Sequence, residues 1–106
     1  MAEVILTKPA KDDAKSIYQY YDNYSHQYSE KLMKEVITAA RRLEQFPEMG
    51  PKEQILEHFN RNYRSVLVLR RYKLIYLYEN QVCSILMVWD TKESPALLKN
   101  SDRFKP

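Results

Sequence analysis

The sequence predicts an α+β domain: two amphipathic helices on one face of a mostly antiparallel sheet of four to five strands, in the order β-α-α-β-β-β-β. Three observations carry this. Apolar residues recur every third or fourth position as far as Phe46, and every second position from Tyr63 onward. Pro47, the lone Gly50 and Pro51 stand between the two regimes, where they stop a helix. No linker, repeat or low-complexity segment divides the 106 residues, so residues 1–106 are read as one domain with one core.

Residues 3–7, EVILT, are a short β-prone run ended by Lys8-Pro9, and Pro9 is tolerated in a first helical turn. From Ala10 the period is helical, with Ala14, Ile17, Tyr18 and Tyr21 on one stripe. Asp22-Asn23 breaks it, and Ser25 is placed to cap a second helix carrying Tyr28, Leu32, Val36, Ala39, Leu43 and Phe46. Two such helices joined by a few residues form an antiparallel hairpin, with Tyr18, Tyr21, Leu32, Val36, Leu43 and Phe46 expected against the sheet. Residues 53–58 read as a weak strand or a short turn. Residues 63–69, 72–79 and 82–89 read as strands, being rich in β-branched and aromatic side chains. Asn80-Gln81 suits a tight hairpin, and Arg70-Arg71 is an unusual one, with neither Gly nor Asn. Pro95 opens a short helical tail.

Strict alternation puts Tyr72, Leu74, Tyr76 and Tyr78 on one face of their strand, and Cys83, Ile85, Met87 and Trp89 together on one face of the last. Neither sheet face reads as polar. The helical hairpin covers only one, so the other is expected to be a partner surface.

Composition excludes several classes. With one Gly, no phosphate-cradling Gly-rich loop can be written. One Cys excludes an intramolecular disulfide and multi-cysteine zinc sites, and His26 and His58 are too far apart for a helical zinc motif. No metal and no cofactor is expected. No apolar run approaches the roughly 18 residues of a membrane span, and the N-terminal residues show no signal-peptide core. The expectation is a cytoplasmic protein in a reducing compartment, with no membrane partner.

Net charge is +3, unevenly spread. Residues 1–51 hold 7 basic and 8 acidic residues; residues 52–106 hold 10 and 6. Arg61, Arg64, Arg70, Arg71 and Lys73 fall in a stretch with no acid, interleaved with Tyr63 and Tyr72 and followed by Tyr76 and Tyr78. Bases beside aromatics suit phosphates and nucleobases, or an acidic protein.

EVILT followed by a helical hairpin, PEMG closing the second helix, then NYRSVLVL, YKLIYLY and SILMVWDTKESP, together resemble the RelE/ParE family, the small toxins of bacterial type II toxin–antitoxin pairs, plasmid stabilisation proteins among them. The resemblance implies a sheet order 1-5-4-3-2 if residues 53–58 are a strand, and a partly acidic cognate antitoxin that wraps the toxin. It implies two targets. ParE-like members bind and poison DNA gyrase; RelE-like members are ribosome-dependent endoribonucleases that cut mRNA. Relative to the nuclease pattern, Arg64 matches a strand arginine and Lys92 stands where arginine is common, but residues 91–106 contain neither Tyr nor His. That favours a ParE-like gyrase inhibitor over an enzyme, with a non-toxic nucleic-acid-binding protein as a further alternative.

Arg64, Lys73 and Lys92 are the candidate catalytic residues if the chain is a ribonuclease; Arg61, Arg64, Arg70, Arg71, Lys73, Tyr78 and Lys92 are the candidate target or phosphate contacts. Arg64 is either such a contact or a structural arginine paired with a carboxylate, and Lys73 is read on the same side of the sheet. Asp90 is placed to cap the turn that follows it. Cys83 and His58 are expected to play no part. A homodimer and a hetero-oligomer with the antitoxin are both open.

Overall fold

Residues 1–106 are all described by a computed structural model, which runs from a first strand through a helical hairpin to a three-stranded antiparallel run and a short tail helix, as predicted. Strand β1 (Glu3–Leu6) leads through Thr7 into helix α1 (Lys8–Asp22), with Pro9 in its first turn. The Thr7 hydroxyl donates to the Ile85 carbonyl at 2.7 Å, so this residue ties the helix start to the sheet and does not cap it. Ser25 caps helix α2 (His26–Gln45), its hydroxyl accepting the Tyr28 N–H at 3.1 Å. Ser29, Leu32, Val36, Ala39 and Leu43 are buried at helical spacing. Phe46, expected in that stripe, is 61% exposed, because the helix has ended and the chain turns away before it can face the sheet.

Residues 54–59 form a 3-10 helix (Gln54–Phe59), not a strand. The sheet therefore has four strands: β1, β2 (Tyr63–Val68), β3 (Tyr72–Glu79) and β4 (Val82–Asp90), in the order β1-β4-β3-β2. β1 runs parallel to β4 and the other pairs are antiparallel. A fifth strand fails because Leu56 is drawn under the sheet, and only Lys52 makes an isolated bridge, to Arg64. Both hairpins turn on two residues of positive φ, Leu69-Arg70 and Asn80-Gln81. The first link has three residues, Leu69 to Arg71, between paired Val68 and Tyr72, where the sequence suggested the two residues Arg70-Arg71.

β4 carries a bulge. Ile75 pairs with Met87 and Tyr76 with Ile85, leaving Leu86 as an extra residue. An extra residue flips the alternation, so Cys83 and Ile85 face the helices while Met87 and Trp89 face the opposite side. Expected on one face, these four are split between two cores. One core lies under α1 and α2, where Ala14, Leu32 and Leu43 meet Tyr72, Leu74 and Tyr76. The second lies on the other face, where Tyr63, Ile75, Met87 and Trp89 meet Leu56, Leu98 and Phe104. Leu98 belongs to helix α3 (Pro95–Lys99). The chain's own 3-10 helix, α3 and C-terminal residues thus close the face that the sequence left open for a partner, because the short segments flanking the sheet each contribute one or two large apolar side chains.

The PEMG segment closes over the rim of the first core. A Cβ on Gly50 would lie 2.3 Å from the Ser65 carbonyl oxygen, so the chain can pass there only without a side chain. Tyr76 fastens this loop: its hydroxyl donates to the Pro47 carbonyl at 2.7 Å and accepts the Gly50 N–H at 3.3 Å.

Candidate functional site

The basic stretch of the sequence is not a basic surface in the fold. Four of its five cations receive a carboxylate from elsewhere in the chain. Arg61 donates to both oxygens of Glu79, holding that carboxyl below the usual carboxylate range. Arg71 donates to both oxygens of Asp90, at 3.0 and 3.4 Å. That contact pulls the Asp90 carboxyl down and pushes the guanidinium further up. The Arg71 guanidinium also lies 5.6 Å from the ring centre of Tyr21 and 5.5 Å from that of Tyr72. Lys73 donates to Glu53 at 3.0 Å, and the Ser65 hydroxyl donates to the same oxygen at 2.8 Å.

Arg64 is the most heavily bonded. It donates to the Gly50 carbonyl at 2.8 Å, the Glu48 carbonyl at 3.2 Å, the Glu48 carboxylate at 3.0 Å and the Asn62 side-chain oxygen at 3.0 Å. Its cross-strand partner is Tyr76, on the helix side, whereas Lys73 projects with Ile75 from the other side. Arg64 and Lys73, read from sequence on one side, emerge on opposite faces. The length of the hairpin link is the cause: Val68 pairs with Tyr72 across three residues, Leu69 to Arg71, and the one residue added to the expected two moves the register of β3 against β2 by one, which inverts the side chains of β3 relative to those of β2.

Two cations of the set remain uncommitted, Arg70 and Lys92, both exposed. They sit at one end of the sheet. Thr91 donates from its N–H (2.9 Å) and its hydroxyl (2.7 Å) to the Arg71 carbonyl, which brings the β2–β3 turn beside the turn after β4. Asp90 accepts the Lys92 N–H at 3.0 Å, as its expected capping role requires. Leu69 and Arg70 adopt φ of 52° and 56° without Gly or Asn, so the backbone of this turn is strained. Tyr78 is half-buried against the helix-side core, and its backbone pairs with Asn62.

Cys83 and His58, expected to play no part, differ in exposure. Cys83 is fully buried, and burial pushes its thiol up. His58 is exposed, its ring 4.1 Å from that of Phe59. Glu53 was not singled out by sequence: it lies in the charged run KEQILE, and nothing local marks it as the buried carboxylate that binds Lys73 and Ser65. No three His, Cys, Asp or Glu side chains converge as metal ligands would. No helix is long and apolar enough to cross a membrane.

One further surface is defined by geometry. Leu6, Ala14, Tyr18 and Met33 line a groove where β1 meets the helical hairpin, with Lys11 and Lys15 beside them. β1 is an edge strand, so beyond it no strand completes the sheet.

The family described as ParE toxin of type II toxin-antitoxin system, parDE, matches residues 4–95. A solved structure described as the chromosomal ParDE TA system from P. aeruginosa superposes with a TM-score of 0.69 over 85% of this chain and 96% of that one. The two are 16% identical, so the likeness is one of fold. No curated protein matches the chain.

Proposed function

Because this chain belongs to the ParE toxin family of type II toxin–antitoxin systems, we propose that it poisons DNA gyrase by binding it and is neutralised by a cognate antitoxin. The observation that carries the binding reading over the nuclease one is the fate of the basic residues. A ribonuclease acting through the 2′-hydroxyl needs cations converging on one phosphate and a group able to move a proton near neutral pH. Here Arg64 and Lys73 lie on opposite faces, each bonded to a carboxylate, and Lys92 stands apart at the sheet end. Arg70 and Lys92, exposed and unpaired, are the side chains proposed to meet the target.

The antitoxin is proposed to dock on the groove between β1 and the helical hairpin. Exposed Ile5, the apolar groove floor and the two lysines beside it suit an acidic segment with apolar side chains that adds to the β1 edge. The second sheet face is not part of this proposal, since the chain covers it.

Induction of the chain without an antitoxin, followed by gyrase supercoiling assays and RNA profiling, tests the reading. Growth arrest with DNA-damage signalling and inhibited supercoiling is expected. In-frame cuts in translated messages that disappear in Lys92→Ala would overturn it in favour of ribosome-dependent mRNA cleavage. Unchanged growth would overturn both toxin readings.

A further inference from the structure

β4 is nine residues long, but β1 pairs only with Val82–Ile85. Over the rest of that edge, two side chains take the place of a strand. Asp13 accepts the Val88 N–H at 3.0 Å, and Arg103 donates to the Leu86 carbonyl at 3.2 Å. Between this edge, α1 and the C-terminal segment lies a cavity of about 720 Å³, within the range of small-ligand sites.

The charge of its lining opposes that of the chain. Four carboxylates, Asp13, Asp90, Glu93 and Asp102, face two guanidinium groups, Arg71 and Arg103, for a net of −2 in a protein of net +3. Both guanidinium groups are already committed, Arg71 to both oxygens of Asp90 and Arg103 to both oxygens of Asp13. Glu93 and Asp102 are exposed and in no ion pair, so they carry the uncompensated charge. The aromatic part of the wall already holds a cation: Arg71 lies against Tyr21 and Tyr72. Tyr20, 60% exposed and 5.0 Å from Tyr21 between ring centres, offers a further ring face at the mouth. Carboxylates beside aromatic faces select an organic cation, since guanidinium and ammonium groups gain from both, whereas a strongly hydrated metal ion gains little from a ring.

We propose that this cavity binds an organic cation, a guanidinium or primary ammonium group, supplied either by a free polyamine or by a basic side chain of a partner segment. The proposal stands apart from the gyrase reading and uses different residues from Arg70 and Lys92.

Trp89 is the only tryptophan of the chain and lines the cavity, so its emission reports occupancy. The full-length protein is titrated at constant ionic strength with spermidine and, separately, with the peptide acetyl-Gly-Arg-Gly-amide, with calorimetry giving stoichiometry. A saturable one-to-one response to at least one probe is expected, weakened about tenfold or more in the Glu93→Gln/Asp102→Asn double variant and in Tyr20→Ala. These side chains are exposed, and matching thermal midpoints show that the variants are folded. Tighter binding of spermidine identifies a free polyamine as the source; tighter binding of the peptide identifies a partner side chain. The proposal is overturned by the absence of a saturable response to both probes, by unchanged affinity in the variants, or by an equal response to magnesium chloride.

Discussion

Replacing Arg64 by alanine removes four hydrogen bonds from one side chain, and their surroundings set the size of the effect. Its bond to the Glu48 carboxylate joins a group whose side chain is 62% exposed, so this ion pair contributes at most about 1 kcal/mol. The bond to the Gly50 carbonyl is different. Gly50, the last residue of the PEMG loop, is buried, and a charged donor at 2.8 Å contributes roughly 1.5–3 kcal/mol, with a further penalty when the carbonyl is left unpaired. Together with the Glu48 carbonyl and Asn62, the expected loss for Arg64→Ala is about 3 kcal/mol, or a fall in Tm on the order of 10–20 °C for a domain of this size. Glu48→Ala should cost less than about 1 kcal/mol, since it spares the carbonyl bonds. Urea denaturation of both variants, with Arg64→Lys as the third, measures this. Lysine keeps the charge and one donor but not the fork, so it should retain about half of the stabilisation. It should also retain toxicity, which a residue gripping the target through its fork would lose. A loss below about 0.5 kcal/mol in Arg64→Ala would refute the assignment of Arg64 as a clasp on the loop and restore it as a contact residue.

Leu32→Ala and Leu43→Ala, at fully buried positions of α2, should each cost about 2–5 kcal/mol by chemical denaturation. Arg70→Glu/Lys92→Glu should abolish toxicity in a growth assay while leaving Tm within a few degrees of wild type, because neither side chain is in an ion pair; toxicity at the parental level would remove both from the target surface. The Asp90 carboxyl is lowered from 3.8 by Arg71, so its stabilisation is in place above that value and is lost as the pH falls below it through the lowered folded-state value. Urea midpoints followed from roughly pH 5 to 2 should therefore fall less steeply in Asp90→Asn than in the parent.

The sequence by itself determined the helical hairpin and its buried stripe from Leu32 to Leu43, the three strands after residue 62, the Ser25 cap, the stop at Pro47–Pro51 and the short tail helix from Pro95. These follow from local rules, since cap chemistry, proline and a period of three to four all act within a turn or two of the chain. The family was legible for the same reason, because its signature is the succession of such segments. What the tertiary structure decided is everything that depends on residues far apart. A single extra residue at Leu86 inverted the end of β4 and sent Met87 and Trp89 to a second core. Segments carrying Leu56, Leu98 and Phe104, unremarkable one by one, folded together to close a sheet face. The acid-free run from Arg61 to Lys73 acquired Glu79, Glu48, Asp90 and Glu53, at separations of 16 to 20 residues, and only Arg70 and the distant Lys92 stayed free. Charge along a chain is a local quantity, but the field at a surface is the sum over whatever the fold brings within a few ångströms, and a carboxylate arriving from another strand cancels it.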